Sequence, residues 1–201
     1  MTVKLAPRNT PQAAAFLRYQ HDHNRQWPSL CLSLQRQARG LPGVYPSALS
    51  AALATPKSER VTKVSGLRRG MVAFSDDPND SNPYGHIYFI VGWDGPKNDP
   101  DNCLVWTNVA GGDIEMVRLS YFRNNWGDNF QFGATWLNGY DFAEFNSKPK
   151  PRHPSLGENY MHAIDDVEKA LAFHRNKGHK ALAEALENDL MRMRKKLKRF
   201  D

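Results

Sequence analysis

Cysteine is scarce in this sequence, and long apolar runs are missing. Its two cysteines, Cys31 and Cys103, are too few for a disulfide-stapled fold, and neither sits in a CxxC pair typical of zinc or thioredoxin-type sites. No apolar run is long enough to cross a membrane, and residues 1–17 lack the pattern of a secretory signal. We therefore expect a protein that is not transmembrane, is exported by another route if it acts outside a cell, and has at least one reactive thiol. A single disulfide between the two cysteines is the alternative.

The composition is that of a folded protein with a basic surface. Hydrophobic residues make up 40% of the chain and charged residues 24%, with five Trp and ten Phe, which excludes wholesale disorder. The formal net charge of +6 favours polyanionic partners such as nucleic acid, anionic lipid or anionic wall polymers. Charge does not choose among them, and no nucleic-acid recognition motif is present, so no specific nucleic-acid recognition is predicted.

The order of helical and strand patterns predicts an α+β fold. Proline, serine and glycine punctuation indicates a leading helical arm over 1–26, a helix from Pro28 to Gly40 with Cys31 in its first turn, and a short helix over 46–54. After Gly70, β-type runs at 71–74, 86–93, 103–108, 114–119 and 130–136 are separated by turn residues. Helices followed by such a meander are typical of an α+β domain with an antiparallel sheet, here placed at 27–145.

A proline-rich stretch separates this predicted domain from the C-terminal part of the chain. Residues 146–155 contain three prolines and no core-type side chain, which predicts a semi-rigid linker. Beyond it, apolar residues at helical spacing over 156–201, interrupted at Gly178, predict two amphipathic helices. They are too small to fold alone, so we expect them to pack on the main domain, on each other or on a partner.

Three polar residues in separate elements form a candidate catalytic set. A thiol becomes a good nucleophile near a helix N-terminus and a histidine, and Cys31 is placed for this. His86 begins a hydrophobic run expected to be a buried strand, and Asn108 ends the next strand, where its amide is suited to orienting the imidazole. Taken singly, a helical Cys is more often a small core residue, and a His at a strand start is more often a surface or capping group.

The chain from Cys31 to Phe142 resembles the CHAP and NlpC-type cysteine peptidase and amidase domains, particularly those of actinobacterial phages and their hosts. The matching motifs, in order, are the Cys31 helix, Gly40-Leu41-Pro42, Tyr45-Pro46-Ser47-Ala48, Arg69-Gly70-Met71-Val72-Ala73-Phe74, Tyr84-Gly85-His86-Ile87, Trp106-Thr107-Asn108, Asn125-Trp126-Gly127 and Trp136-Leu137-Asn138-Gly139. This resemblance implies a papain-like fold that hydrolyses peptide or amide bonds of peptidoglycan, with Cys31 and His86 as the catalytic pair. Relatives often carry Asp where Asn108 stands, Trp where Phe74 stands, and a different residue at Leu30.

Aromatic side chains complete the predicted site. Tyr84, Trp106 and Trp126 are candidate substrate-binding residues because aromatic faces pack well on sugars and peptides, although such residues are more often core. The mechanism implied by the resemblance needs no metal or other cofactor. The histidines outside this set are scattered over three segments without an HxxxH pair, so no metal site is predicted.

The leading expectation is a phage-encoded wall hydrolase, either a free endolysin released from the host cytoplasm through a holin or a virion-borne lysin. Its partner would be peptidoglycan, with anionic wall polymers or virion proteins bound by the C-terminal helices. The alternative is a structural virion or tail component that uses the same fold as a scaffold. A nucleic-acid-binding protein is a third reading that depends on charge alone.

Overall fold

Three short helices precede the sheet. The computed structural model describes residues 7–76, 83–127, 129–142 and 156–197. Helix α1 spans Thr10–Asp22 and begins with a capping box in which the Asn9 and Gln12 side chains satisfy each other's backbone amides. Helix α2 spans Cys31–Ala38 and α3 spans Ala48–Ala54, the latter capped by Ser47. Capping side chains therefore fix where α1 and α3 begin.

The strands form one antiparallel sheet and a small hairpin. Their bounds are β1 Arg60–Val61, β2 Val72–Asp76, β3 His86–Trp93, β4 Cys103–Asn108, β5 Ile114–Arg118, β6 Asn129–Ala134, β7 Trp136–Leu137 and β8 Tyr140–Asp141. The six-stranded sheet has the order β1-β6-β2-β3-β4-β5, and β7 pairs with β8. Helix α4, at Ser120–Trp126, connects β5 towards β6. Strands β3 and β4 are therefore central, which suits their continuous apolar sequences.

The sheet is covered on both faces by different helices. Alternate residues of a strand point to opposite faces, so Phe89 and Tyr88 belong to different clusters. Phe89 packs with Trp106 and Leu34, beneath α1 and α2. Tyr88 packs with Phe122 of α4. A third cluster joins α3, β2, β6 and the C-terminal helices.

Two long helices form a hairpin at the C-terminal end of the described chain. Helix α5 spans Leu156–Asn176 and α6 spans Lys180–Leu197. Their buried faces, including Val167 and Leu186, belong to the same cluster as α3. The hairpin therefore packs on α3 and on itself. Within the described chain, no helix has both the length and the apolarity needed to cross a bilayer.

The α+β prediction is confirmed, and the differences concern individual elements. The strands at 86–93 and 103–108 lie where the sequence placed them. The leading helix stops at Asp22 rather than near residue 26, since the chain turns at Asn24 with a φ of 49°. Helix α4 and the two-residue strand β1 were not predicted. The predicted linker at 146–155 lies outside the described residues.

Candidate active site

A cleft of about 540 Å³ lies where the start of α2, the start of β3 and the end of β4 meet. Its lining comprises residues 28–33, 46–48, 84–86 and 108–112, together with Arg192 of α6. Three residues that are far apart in sequence, Cys31, His86 and Asn108, thus line one cleft. The cleft is the place in the described chain where the candidate catalytic set comes together.

Cys31 is the first residue of α2 and is partly exposed to the cleft. The residue before it, Leu30, provides no side-chain cap, so its side chain does not occupy the first-turn N–H groups of the helix. Ser29 adopts a left-handed conformation with a φ of 54°, which costs about 1–3 kcal/mol for a residue with a side chain. The thiol of Cys31 and the first turn of α2, with its backbone N–H donors, thus line the same cleft.

His86 begins β3 and is almost fully buried, with 5% of its surface exposed. Its ring lies against Phe122 and Tyr88, with centroid distances of 4.9 and 5.2 Å. Burial lowers the pKa of His86 from 6.5 to about 3, because the charged imidazolium would lose its hydration. The imidazole is therefore neutral near pH 7.

Thr107 contacts the imidazole directly. Its hydroxyl lies 2.8 Å from Nε2 of His86 and donates to the backbone carbonyl of Ile87 at 3.2 Å. A hydroxyl has one proton to donate, so Oγ1 accepts from Nε2–H when that proton goes to Ile87. This tautomer leaves Nδ1 as the basic nitrogen. Sequence reasoning missed Thr107; the available signal was strand alternation, because the register pairs Phe89 with Trp106 and so puts Thr107 on the face shared by Tyr88 and His86.

Asn108 ends β4 and lines the cleft, but its hydrogen bond is not the one that was predicted. Its Nδ2 donates to the backbone carbonyl of Trp27 at 2.9 Å, and its buried Oδ1 has no hydrogen-bond partner among the described residues. The predicted bond to the imidazole is made by Thr107 instead, because adjacent strand residues point to opposite faces. Asn108 thereby fixes the segment that leads to Cys31.

Gly112 fixes the same segment from the other side. Its carbonyl accepts from Trp27 N at 2.7 Å, and its φ is +91°. A Cβ at this position would lie 2.4 Å from the backbone nitrogen of Pro28. Only glycine fits this close approach without displacing the 27–28 segment.

The predicted substrate-binding aromatics fall into three different places. Tyr84 lines the cleft and is 42% exposed. Trp106 does not line it: the ring is buried in the cluster beneath α1 and α2, where it lies 5.3 Å from the His21 ring. This differs from the groove position that was expected, because Trp106 lies on the same face of the sheet as Phe89, the face covered by α1 and α2. Trp126 is the last residue of α4, and its side chain lies outside the described part of the structure.

Cys103 is not part of the cleft. It is fully buried in the cluster with Tyr88 and Phe122, and burial raises its pKa to about 12. The two cysteines do not form a disulfide, which settles the alternative left open by the sequence. Among residues 7–76, 83–127, 129–142 and 156–197, no group of three or more His, Cys, Asp or Glu side chains is arranged to hold a metal ion.

Comparison of the chain with protein-family models, with curated proteins and with solved structures gave no match in any of the three.

Proposed function

We propose that this chain is a cysteine hydrolase of papain-like fold that cleaves peptide or amide bonds of bacterial peptidoglycan. The observation that carries the proposal is one cleft lined by a thiol at a helix start and a neutral, buried imidazole at a strand start. The order of the elements, helix with Cys31, strand with His86, then strand with Thr107, is the order that the CHAP-like and NlpC-like resemblance requires.

The proposed first step is acylation. Nδ1 of His86 accepts the Sγ proton of Cys31 as sulfur bonds to the scissile carbonyl carbon. The resting pair is thiol and imidazole, because an imidazole with a pKa of about 3 does not stay protonated near neutral pH. Backbone N–H groups in the first turn of α2, with no side-chain cap at Leu30, stabilise the oxyanion. Collapse breaks the C–N bond, and the imidazolium returns the proton to the leaving nitrogen.

The second step is hydrolysis of the thioester. Neutral His86 accepts a proton from water, whose oxygen bonds to the acyl carbon. The C–S bond then breaks, and the imidazolium returns that proton to Sγ, which regenerates the thiol of Cys31 and the neutral imidazole. Thr107 holds the imidazole in the required tautomer through both steps, since its hydroxyl is committed to Ile87 O as donor and to Nε2–H as acceptor. The residues that act on the reacting atoms are Cys31 and His86.

Zymography on purified actinobacterial walls tests the proposal. The native chain should clear the wall, Cys31→Ala should abolish clearing, and Cys103→Ala, a matched change at the buried cysteine outside the cleft, should retain it. Clearing that survives Cys31→Ala would remove the thiol mechanism. Mass spectrometry of the released fragments would identify whether the bond joins sugar to peptide, lies within the stem or lies in a crossbridge.

We propose that the setting is a phage, as an endolysin or a virion-borne lysin, on the strength of the same resemblance. A second function, a structural virion component, is favoured by one observation on the C-terminal hairpin. Met161, Phe173 and Met191 are each more than half exposed there. Exposed apolar side chains suit assembly with a partner where they form one contiguous patch. Absence of clearing by the folded native chain, together with its assembly into larger particles, would favour this function over the hydrolase.

A further inference from the structure

Among the described residues that line the cleft, one carries a permanent charge. Its described lining consists of serines, glycines, apolar residues, Tyr84, Cys31, the neutral His86 and Asn108, apart from Arg192. No aspartate or glutamate is among the described residues that line it. A positive group in a cleft without a lining carboxylate favours an anionic ligand.

The position of Arg192 is fixed by the residues around it on α6. Leu190 and Met193 are buried in the cluster that joins the hairpin to α3. Asp189, one turn before Arg192, is also buried and accepts a hydrogen bond from the hydroxyl of Ser47. Because Ser47 itself lines the cleft, this bond ties α6 to the cleft wall. Arg192 thus lies on a helix that is anchored by two buried apolar side chains and by one hydrogen bond to the cleft wall.

Arg192 makes no ion pair within 4 Å among the described residues, although it does interact electrostatically with Asp189. Two residues further along α6, Arg194 forms an ion pair with Glu168, whereas none of the ion pairs among the described residues includes Arg192. Asp189 is the nearby carboxyl, and its Oδ2 already accepts a hydrogen bond from Ser47. An anion that enters the cleft therefore has no ion pair of Arg192 with a described residue to displace.

We propose that Arg192 is a specificity-determining residue that binds a carboxylate of the peptide whose amide bond Cys31 attacks. A guanidinium matches the planar carboxylate with two parallel N–H donors, so it selects this group over a neutral carboxamide. The inference depends on the proposed function for the identity of the substrate as a peptide. It assigns the C-terminal hairpin a part in substrate selection.

Calorimetric binding to the inactive Cys31→Ala protein tests this without requiring turnover. The probes are the tetrapeptide L-alanyl-γ-D-glutamyl-L-lysyl-D-alanine with its carboxylates free and the same peptide with them converted to carboxamides. The free acid should bind about ten-fold more tightly, a ratio typical of one charge-assisted contact. Adding Arg192→Ala should reduce that ratio to about two-fold or less, and Arg192→Lys should give an intermediate ratio.

Arg194→Ala is the matched control, because this arginine lies on the same helix and pairs with Glu168 on the hairpin. It should keep the native preference. Equal affinity for the two peptides, binding of neither, or a preference that survives Arg192→Ala would overturn the inference. Wall clearing by the native chain is measured separately: lost clearing with a retained preference refutes the hydrolase alone, and clearing without a preference refutes the role of Arg192 alone.

Discussion

The hydroxyl of Thr107 is the contact whose removal tests the candidate site most directly. Thr107→Val keeps the shape and the β-branch of the side chain but removes the bond to Nε2 of His86. Thr107 is fully buried and His86 nearly so, so water has little access to the unpaired N–H. We expect the free energy of unfolding to fall by about 2 kcal/mol, the usual cost of a buried donor left without a partner.

The effect on the reaction rate follows from the same free energy of about 2 kcal/mol. If the productive orientation of the imidazole lies about 2 kcal/mol above the relaxed one once this bond is lost, the transition state has to regain that orientation, which corresponds to about a 30-fold lower kcat. Thr107→Ser keeps the hydroxyl and should recover most of the rate. Nitrogen NMR of the imidazole should also show that the Nε2–H tautomer is less populated in Thr107→Val.

Thr55→Val is the matched control for stability. Thr55 is equally buried, and its hydroxyl donates to Ala51 O at 2.9 Å, but it does not line the cleft. It should lose about 1 kcal/mol of stability with kcat unchanged. If Thr107→Val kept both the native kcat and the native tautomer, the assignment of Thr107 to the imidazole would be refuted.

Three further predictions concern the groups around the cleft. Burial lowers the pKa of His86 to about 3 in the folded chain, whereas the ordinary pKa of histidine is 6.5. The unfolded chain therefore binds a proton at this side chain below pH 6.5 that the folded chain excludes. The free energy of unfolding should therefore fall as pH falls below this value, by up to about 1.4 kcal/mol per pH unit, and urea titrations of His86→Gln should lack this component of the slope. Gly112→Ala should destabilise the chain by about 2 kcal/mol or more, since it adds a clash to the cost of positive φ, whereas Gly178→Ala, at φ +74° in open space, should cost about 1 kcal/mol; equal losses would contradict the packing of Gly112 against the 27–28 segment. Iodoacetamide should label Cys31 in the native protein and Cys103 only after unfolding, as read by peptide mass spectrometry, and early labelling of Cys103 would contradict its burial.

The parts of the fold that could be predicted are the elements that a local sequence pattern indicates. Strands β3 and β4 are continuous apolar runs with turn residues at their ends, so the first and last residues of each strand could be predicted from the sequence. Helix α2 could be placed from its proline, serine and glycine punctuation, which also put Cys31 at its start. Helix α4 carries a weaker signal: Gly127 ends it, but it follows β5 after one residue, has no side-chain cap at its start and is seven residues long.

The site could be predicted only as far as its strands, because the face of a side chain depends on register. Adjacent residues Thr107 and Asn108 look equally suited to orienting an imidazole, and the pairing of β3 with β4 decides between them. That pairing contains an irregularity between Ile90 and Gly92, which no local pattern in the sequence announces. The hydrogen bond from Ser47 to Asp189 joins residues 142 positions apart, so the sequence did not predict that α6 contributes to the cleft either.

The geometry also explains why the segment before Cys31 tolerates strain. Ser29 holds a left-handed conformation at a cost of about 1–3 kcal/mol, and a free loop would relax it. Asn108 and Gly112 prevent this, since Asn108 bonds to Trp27 from the end of β4 and Gly112 does so from the connection between β4 and β5. Their hydrogen bonds, at about 1 kcal/mol each, are of the size needed to offset that cost. The end of β4 and the turn after it therefore serve both partners of the proposed pair: Thr107 positions the imidazole, while Asn108 and Gly112 position the loop that carries the thiol.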